Sequence, residues 1–221
     1  MTKRKYNFYS LVVNEHDITF GCEEKIVEAL KHLDEVIKPK AIMLVTTCVL
    51  EVIGEDVVGI KTLIQDDLNA KLLVVNTEHF KCSNHISGME DSLAALMTLM
   101  EPQEVEAGSV NILGYRQHDI EKTELYNMLI SEHVKINTIL PAETSIESLI
   151  TTPRASLNIV TEFIALPLAE AMEKKFGTPF VYFDKNLSID IIKTGYEEME
   201  AILKINITEK LKIRITKSND K

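Results

Sequence analysis

An α/β fold is what this sequence predicts: two Rossmann-like parallel-sheet domains with a cleft between them. Three observations carry the expectation. Short apolar runs of strand length alternate with longer stretches of helical periodicity. The runs Ala41-Ile42-Met43-Leu44-Val45 and Leu72-Leu73-Val74-Val75 are continuously apolar, as in strands buried on both faces. An acidic, breaker-containing stretch at 101–108, Glu-Pro-Gln-Glu-Val-Glu-Ala-Gly, separates one set of such elements from a second.

The elements follow in order. Asp17-Ile18-Thr19-Phe20-Gly21 reads as a short strand or turn. From Cys22 to Val36, Ile26, Leu30 and Leu33 recur at helical spacing, with Ile37 next, and Pro39 closes the helix. A strand at 41–46 leads to Cys48, then to a helix over 54–68 with Val57, Ile60, Ile64 and Leu68 on one face. A strand at 71–75, a loop at 76–88 and a helix through Leu93, Leu96, Met97 and Met100 complete the first domain. The second begins with a strand at 109–115, then a helix at 119–132 and a strand at 134–140. Ser145-Ile146-Glu147-Ser148 opens a short capped helix. A strand at 155–160, a helix at 163–176 ending on Gly177, a strand at 179–183 and a helix at 188–203 follow. The expected domains are therefore 1–107 and 108–203. The tail 204–221, apolar at Leu211, Ile213 and Ile215, reads as an added edge strand.

Composition narrows the function. The 221 residues are 45% hydrophobic and 26% charged, an ordinary globular balance. The net charge of −10 argues against nucleic acid as a partner, because that binding needs a basic footprint. It equally disfavours an anionic membrane surface. No apolar run is long enough for a membrane span, and the basic start has no apolar stretch behind it to make a signal peptide. Three cysteines spaced by 26 and 34 residues form neither a disulfide framework nor a compact zinc module. A reduced, cytoplasmic protein fits. No Gly-rich phosphate loop occurs, so no nucleotide is expected.

Cys48 is the leading candidate for chemistry. A parallel strand delivers it to the carboxyl edge of the sheet, where open α/β folds keep their sites. A thiolate there can ligate iron. Cys82 lies one strand and one loop later, and Cys22 between a strand-like run and a helix, so all three are expected to line one edge. One thiolate cannot hold a cluster. Two or three per subunit, joined across a two-fold axis, supply the four ligands an iron–sulfur cluster needs. Two other readings stay open: three buried thiols acting as small hydrophobes, and a zinc or redox-disulfide site. His79 and His85 flank Cys82 at metal-like spacing but lack a fourth local ligand. Glu55 and Asp56 read as first-turn helix carboxylates favoured by the dipole.

Several segments together resemble one family. Thr47-Cys48-Val49-Leu50-Glu51-Val52-Ile53-Gly54-Glu55-Asp56-Val57 resembles the cluster-proximal cysteine motif of the nitrogenase component 1 family. Glu15 to Ile26 is similar to its strand-turn-helix, with Cys22 at the place of a glycine. Thr77-Glu78-His79-Phe80-Lys81-Cys82-Ser83 resembles the loop after the next strand. Val110 to Tyr115, Ala155 to Ile159 and Phe176-Gly177-Thr178-Pro179 match later landmarks in order and spacing. The family includes nitrogenase subunits, their cofactor-assembly scaffolds and dark-operative tetrapyrrole reductases. The resemblance implies a redox protein that carries an iron–sulfur cluster at Cys48, with Cys82 and Cys22 as further candidates. It also implies a homodimer or a hetero-oligomer with a longer relative, and electrons from an iron-protein-type reductase.

Departures shape the expectation. Only about 19 residues precede the Phe20-Gly21 turn, and none is a cysteine, whereas full-length members carry further cluster cysteines there. Members with a molybdenum-type cofactor place a cysteine after the Leu-Asn strand of the second domain, where this chain reads Val160-Thr161-Glu162-Phe163. The family's third domain has no counterpart. The expectation is a nitrogenase-like oxidoreductase that does not itself reduce dinitrogen. The alternative is a cluster-free binding module or structural subunit of the same fold, handling a metallocofactor or small molecule.

Overall fold

The computed structural model describes residues 8–77, 86–183 and 189–206. The chain divides into two compact units, Met1–Gly88 and Met89–Lys221.

The first unit opens on a helix, not the expected short strand or turn. In α1 (Glu15–Phe20) the Asn14 side chain accepts from the Asp17 amide, and the Asp17 carboxylate accepts from the Asn14 amide. That reciprocal cap satisfies two amides that a helix start leaves unpaired, and it overrides the alternating pattern of Asp17 to Phe20. Gly21, at φ 90°, ends the turn, and Cys22 caps α2 (Glu23–Ile37). The apolar stripe of α2 buries Ile26 and Leu30, and Lys38 in the left-handed region closes the helix before Pro39. Strand β1 (Ala41–Val45) follows. A short helix that was not expected, α3 (Cys48–Ile53), precedes the helix expected over 54–68, which is α4 (Val57–Ile64). Gly54, with φ 77° and ψ 28°, stops the first, and the Asp56 carboxylate caps the second by accepting from the Gly59 amide at 2.8 Å. Strand β2 (Lys71–Val75) pairs with β1 in parallel, from Ala41 opposite Lys71 to Val45 opposite Val75. One core joins Ile26 and Leu30 of α2, Leu50 of α3, Val57, Ile60 and Ile64 of α4, and Leu72 of β2.

Helix α5 (Ile86–Ala95) carries the chain into the second unit. There the 101–108 stretch is only partly a linker, because β3 (Glu106–Tyr115) already begins inside it. Gly108, at φ 72°, and a register shift between Glu106 and Val110 kink the strand where breakers stand in the sequence. Then come α6 (Glu124–Ser131), β4 (Lys135–Pro141), α7 (Ile146–Ile150), β5 (Ala155–Val160), α8 (Leu166–Phe176), β6 (Phe180–Tyr182) and α9 (Ile189–Leu203). The sheet has the order β4-β3-β5-β6, and every pair is parallel. Its central strands are buried from Ser109 to Tyr115 and, but for the half-buried Ser156, over Ala155–Val160, which is why apolar residues dominate them. Residues Val110, Ile112, Leu157 and Ile159 pack with Met128, Leu129, Tyr196 and Met199 from the helices. The buried asparagines are paired: the Asn111 side chain donates to Asn158 Oδ1 at 2.7 Å and to the Thr152 carbonyl at 2.9 Å. It also accepts from Asn137 Nδ2 at 2.9 Å. The tail expected to add an edge strand lies outside the described residues beyond Asn206.

The expectation of α/β architecture with parallel sheets holds in both units. Among the described residues no helix is long and apolar enough to cross a membrane.

Candidate functional site

The carboxyl edge of the β1–β2 sheet is where the Cys48 segment emerges. Thr46 extends the ladder one residue past β1, its amide donating to the Val75 carbonyl at 3.0 Å. Thr47, in extended backbone, is the N-cap of α3, and Cys48 is the first helical residue. Cys48 is half-buried with a free thiol. Beside it Val45 at the end of β1 is 47% exposed, and Val49 and Val52 on α3 are 39% and 64% exposed. An apolar rim around a half-buried thiol is a surface suited to being covered.

Helix α3 is only six residues long, too short to persist by its own hydrogen bonds. Two carboxylates hold it. Glu51, one turn beyond Cys48, accepts from the hydroxyls of Thr46 at 2.8 Å and Thr77 at 3.0 Å, so it ties the helix to both strand ends. Thr77 in turn donates its amide to Thr46 Oγ1 at 3.2 Å. Glu55, just past Gly54, accepts from the Cys22 amide at 2.9 Å and from the Cys22 thiol at 3.4 Å. Its own amide donates to the Leu50 carbonyl at 3.0 Å. Glu55 is therefore no first-turn helix carboxylate; its partner is 33 residues away.

The sequence-derived candidates fare differently. Cys48 stands at the strand edge, at the start of α3. Cys22 follows a helix, and not a strand as expected, and is 2% exposed in the first unit's core. Burial, and then the hydrogen bond and charge of Glu55, push its thiol up to about 11. Cys82, with His79 and His85, lies outside the described residues. Among the described residues no group of three or more histidines, cysteines and carboxylates is placed to hold a metal ion. Cys48 thus offers one thiolate of the four that a cluster takes. Glu51 and Glu55 were missed as a pair. Their spacing of four residues after an apolar strand was visible, but their partners were not.

In the second unit the corresponding edge, past β3 and β5, reads differently. Arg116 Nε donates to Glu162 Oε2 at 2.9 Å, and Thr161 bonds the Leu113 carbonyl through its amide at 2.8 Å. Gly114 sits at φ 93° against this segment, so that an added Cβ would stand 3.0 Å from the Glu162 nitrogen. The order β4-β3-β5-β6 puts the reversal of winding between β3 and β5, the crevice where open α/β sheets bind ligands.

Comparison with known proteins agrees with this architecture. A solved structure titled "Nitrogenase Cp1 at pH 5" superposes with a TM-score of 0.68 at 24% identity, over 85% of this chain and 39% of that one. The family model for nitrogenase component 1 type oxidoreductases matches residues 1–218. The chain belongs to that family. Among curated relatives, the nitrogenase iron-molybdenum cofactor biosynthesis protein NifE of Methanococcus maripaludis is 28% identical over 180 residues, 79% of this chain and 38% of that protein. A light-independent protochlorophyllide reductase subunit of Trichormus variabilis is 27% identical over 204 residues, 85% of this chain and 38% of that protein. The chain spans less than two-fifths of the length of these relatives.

Proposed function

We propose that this chain is a redox protein that holds an iron–sulfur cluster at Cys48, shared with a second chain. The observation that carries the reading is the setting of Cys48: a half-buried free thiol at a sheet edge, on a helix fastened by Glu51 and Glu55, with exposed Val45, Val49 and Val52 around it. A cluster supplies one-electron chemistry when bound. The chain's own contribution is to present the Cys48 sulfur, to fix its helix, and to offer an apolar rim that a partner covers and dries. The missing ligands come from Cys82 and from the second chain, either a copy of this one or a longer relative. Electrons arrive from an iron-protein-type reductase, as membership of the family suggests. Two free cysteines among the described residues support a reducing compartment, the cytoplasm.

A second reading has its own support. Where cofactor-bearing members place a cysteine, Glu162 is tied to Arg116, a donor set unsuited to a thiolate-bound metallocofactor. A cluster-free binding or structural subunit of the same fold would have no need of a thiolate at that edge.

Anaerobic purification and reconstitution separate the two. The cluster reading expects a brown protein with iron and sulfide in similar amounts and a broad visible absorption. A colourless protein that stays iron-free after reconstitution, alone and with a longer relative, contradicts it.

A further inference from the structure

We propose that Glu55 is a positioning residue for Cys48, and that Cys22 serves it as a hydrogen-bond donor and not as a metal ligand. The functional meaning rests on the role proposed for Cys48, but the geometry stands on its own. Both donors of Cys22, its amide and its thiol, go to the same oxygen, Glu55 Oε2, at 2.9 and 3.4 Å. Cys22 is the N-cap residue of α2 and makes no side-chain cap bond to its own helix, so its thiol is spent on Glu55. Gly21, at φ 90°, turns the chain to bring Cys22 there.

The other end of this clasp is the Cys48 helix. Gly54 ends α3 in the left-handed region, and the Glu55 amide closes it onto the Leu50 carbonyl. With the Glu55 side chain fixed on Cys22, the end of α3 cannot swing away from the start of α2. Glu51 fixes the beginning of α3 to Thr46 and Thr77. The six-residue helix is thus bolted at both ends, and the direction of the Cys48 side chain follows from it. Ligation of a metal by Cys22 would require its thiol to lose a proton and leave Glu55, which would remove one of the two bonds in that bolt.

The test uses the full chain and no metal, so a failure of the cluster reading cannot be mistaken for a failure here. Variants Cys22→Ser, Cys22→Val and Glu55→Ala are treated under native conditions with iodoacetamide. The alkylation rate of Cys48 is followed by peptide mass spectrometry. Serine keeps a donor of similar size, and the Cys48 rate in Cys22→Ser should stay within about twofold of the parent. Valine fills the space and removes the thiol donor but keeps the amide bond, so the Cys48 rate should rise roughly fivefold; Glu55→Ala loses both bonds, should free α3 and raise the rate about tenfold or more. If Cys22→Val does not fold, Glu55→Ala alone carries the comparison and should show the larger rise. A Cys48 rate unchanged in Glu55→Ala overturns the proposal. So does a serine variant that reacts as fast as valine, because a merely filled cavity would then explain both.

Discussion

Gly54 and Gly114 allow the backbone and packing costs of a glycine to be separated in one protein. Both lie in the positive-φ region, at 77° and 93°. An alanine there adopts a conformation that costs about 1–2 kcal/mol for an L-residue. Reduced freedom of the unfolded chain offsets about 0.4–1 kcal/mol. At Gly54 nothing among the described residues lies within 4 Å of the added Cβ, so Gly54→Ala should cost only about 1 kcal/mol. At Gly114 the same Cβ would lie 3.0 Å from the Glu162 nitrogen and 3.2 Å from its carbonyl oxygen. These are backbone atoms just past β5, held by the Thr161 bonds to Leu113, and they cannot step aside as a flexible side chain would. Overpacking of this kind adds about 1–3 kcal/mol, so Gly114→Ala should cost roughly 2–4 kcal/mol in all. At about 2–4 °C per kcal/mol, the midpoint should fall by roughly 3 °C for Gly54→Ala and by roughly 6–12 °C for Gly114→Ala. Thermal and urea unfolding followed by circular dichroism measure both. Equal losses at the two sites would refute the argument from close approach.

Two further outcomes follow from the interior polar groups. Asp34, in the core of the first unit, accepts from the Asn69 amide and side chain and from the Ala70 amide. The Asn69 amide first, with Ala70 and the Asn69 side chain, holds its carboxyl below the ordinary 3.8 against the opposing effect of burial. Its contribution to stability is therefore present above pH 3.8 and lost as pH falls through the lower folded value; Asp34→Asn should flatten that acid limb in unfolding midpoints measured from pH 2 to 6. In the second unit Asn111→Ala would leave the Asn158 oxygen, the Thr152 carbonyl and the Asn137 amide each short of a partner. Urea titration should show a loss of about 3–5 kcal/mol, against about 1 kcal/mol if those groups find other partners.

How much of this was legible in the sequence depends on how local each cause is. Strands β1 and, past Lys71, β2 were legible as uninterrupted apolar runs, and β5 as a mostly apolar stretch broken by Ser156 and Asn158. Helices α2 and α8 were legible from their stripes and from stops at Pro39 and Gly177. Helix α1 was misread because Asp17-Ile18-Thr19-Phe20 alternates like a strand, although the Asn14 and Asp17 capping pair was there to be read. The short helix α3 was not read, although Gly54 and Asp56 mark the gap between it and α4. At the site, the place of Cys48 at a strand end followed from the strand itself. The pairing of Glu55 with Cys22 did not, because it joins positions 33 apart and depends on the turn at Gly21. The link of Glu51 to Thr77 across 26 residues was hidden for the same reason.

The most direct measurement compares iron per chain, after anaerobic reconstitution, in the parent, Cys48→Ala and Cys22→Ala. Cys48→Ala removes a half-buried thiol, and Cys22→Ala removes a buried donor, each at a folding cost on the order of 1 kcal/mol. Cys48→Ala should fold but lose most of its iron, while Cys22→Ala should keep most of it. Equal iron in Cys48→Ala and the parent, or a greater loss in Cys22→Ala, would contradict the assignment of Cys48 as the ligand.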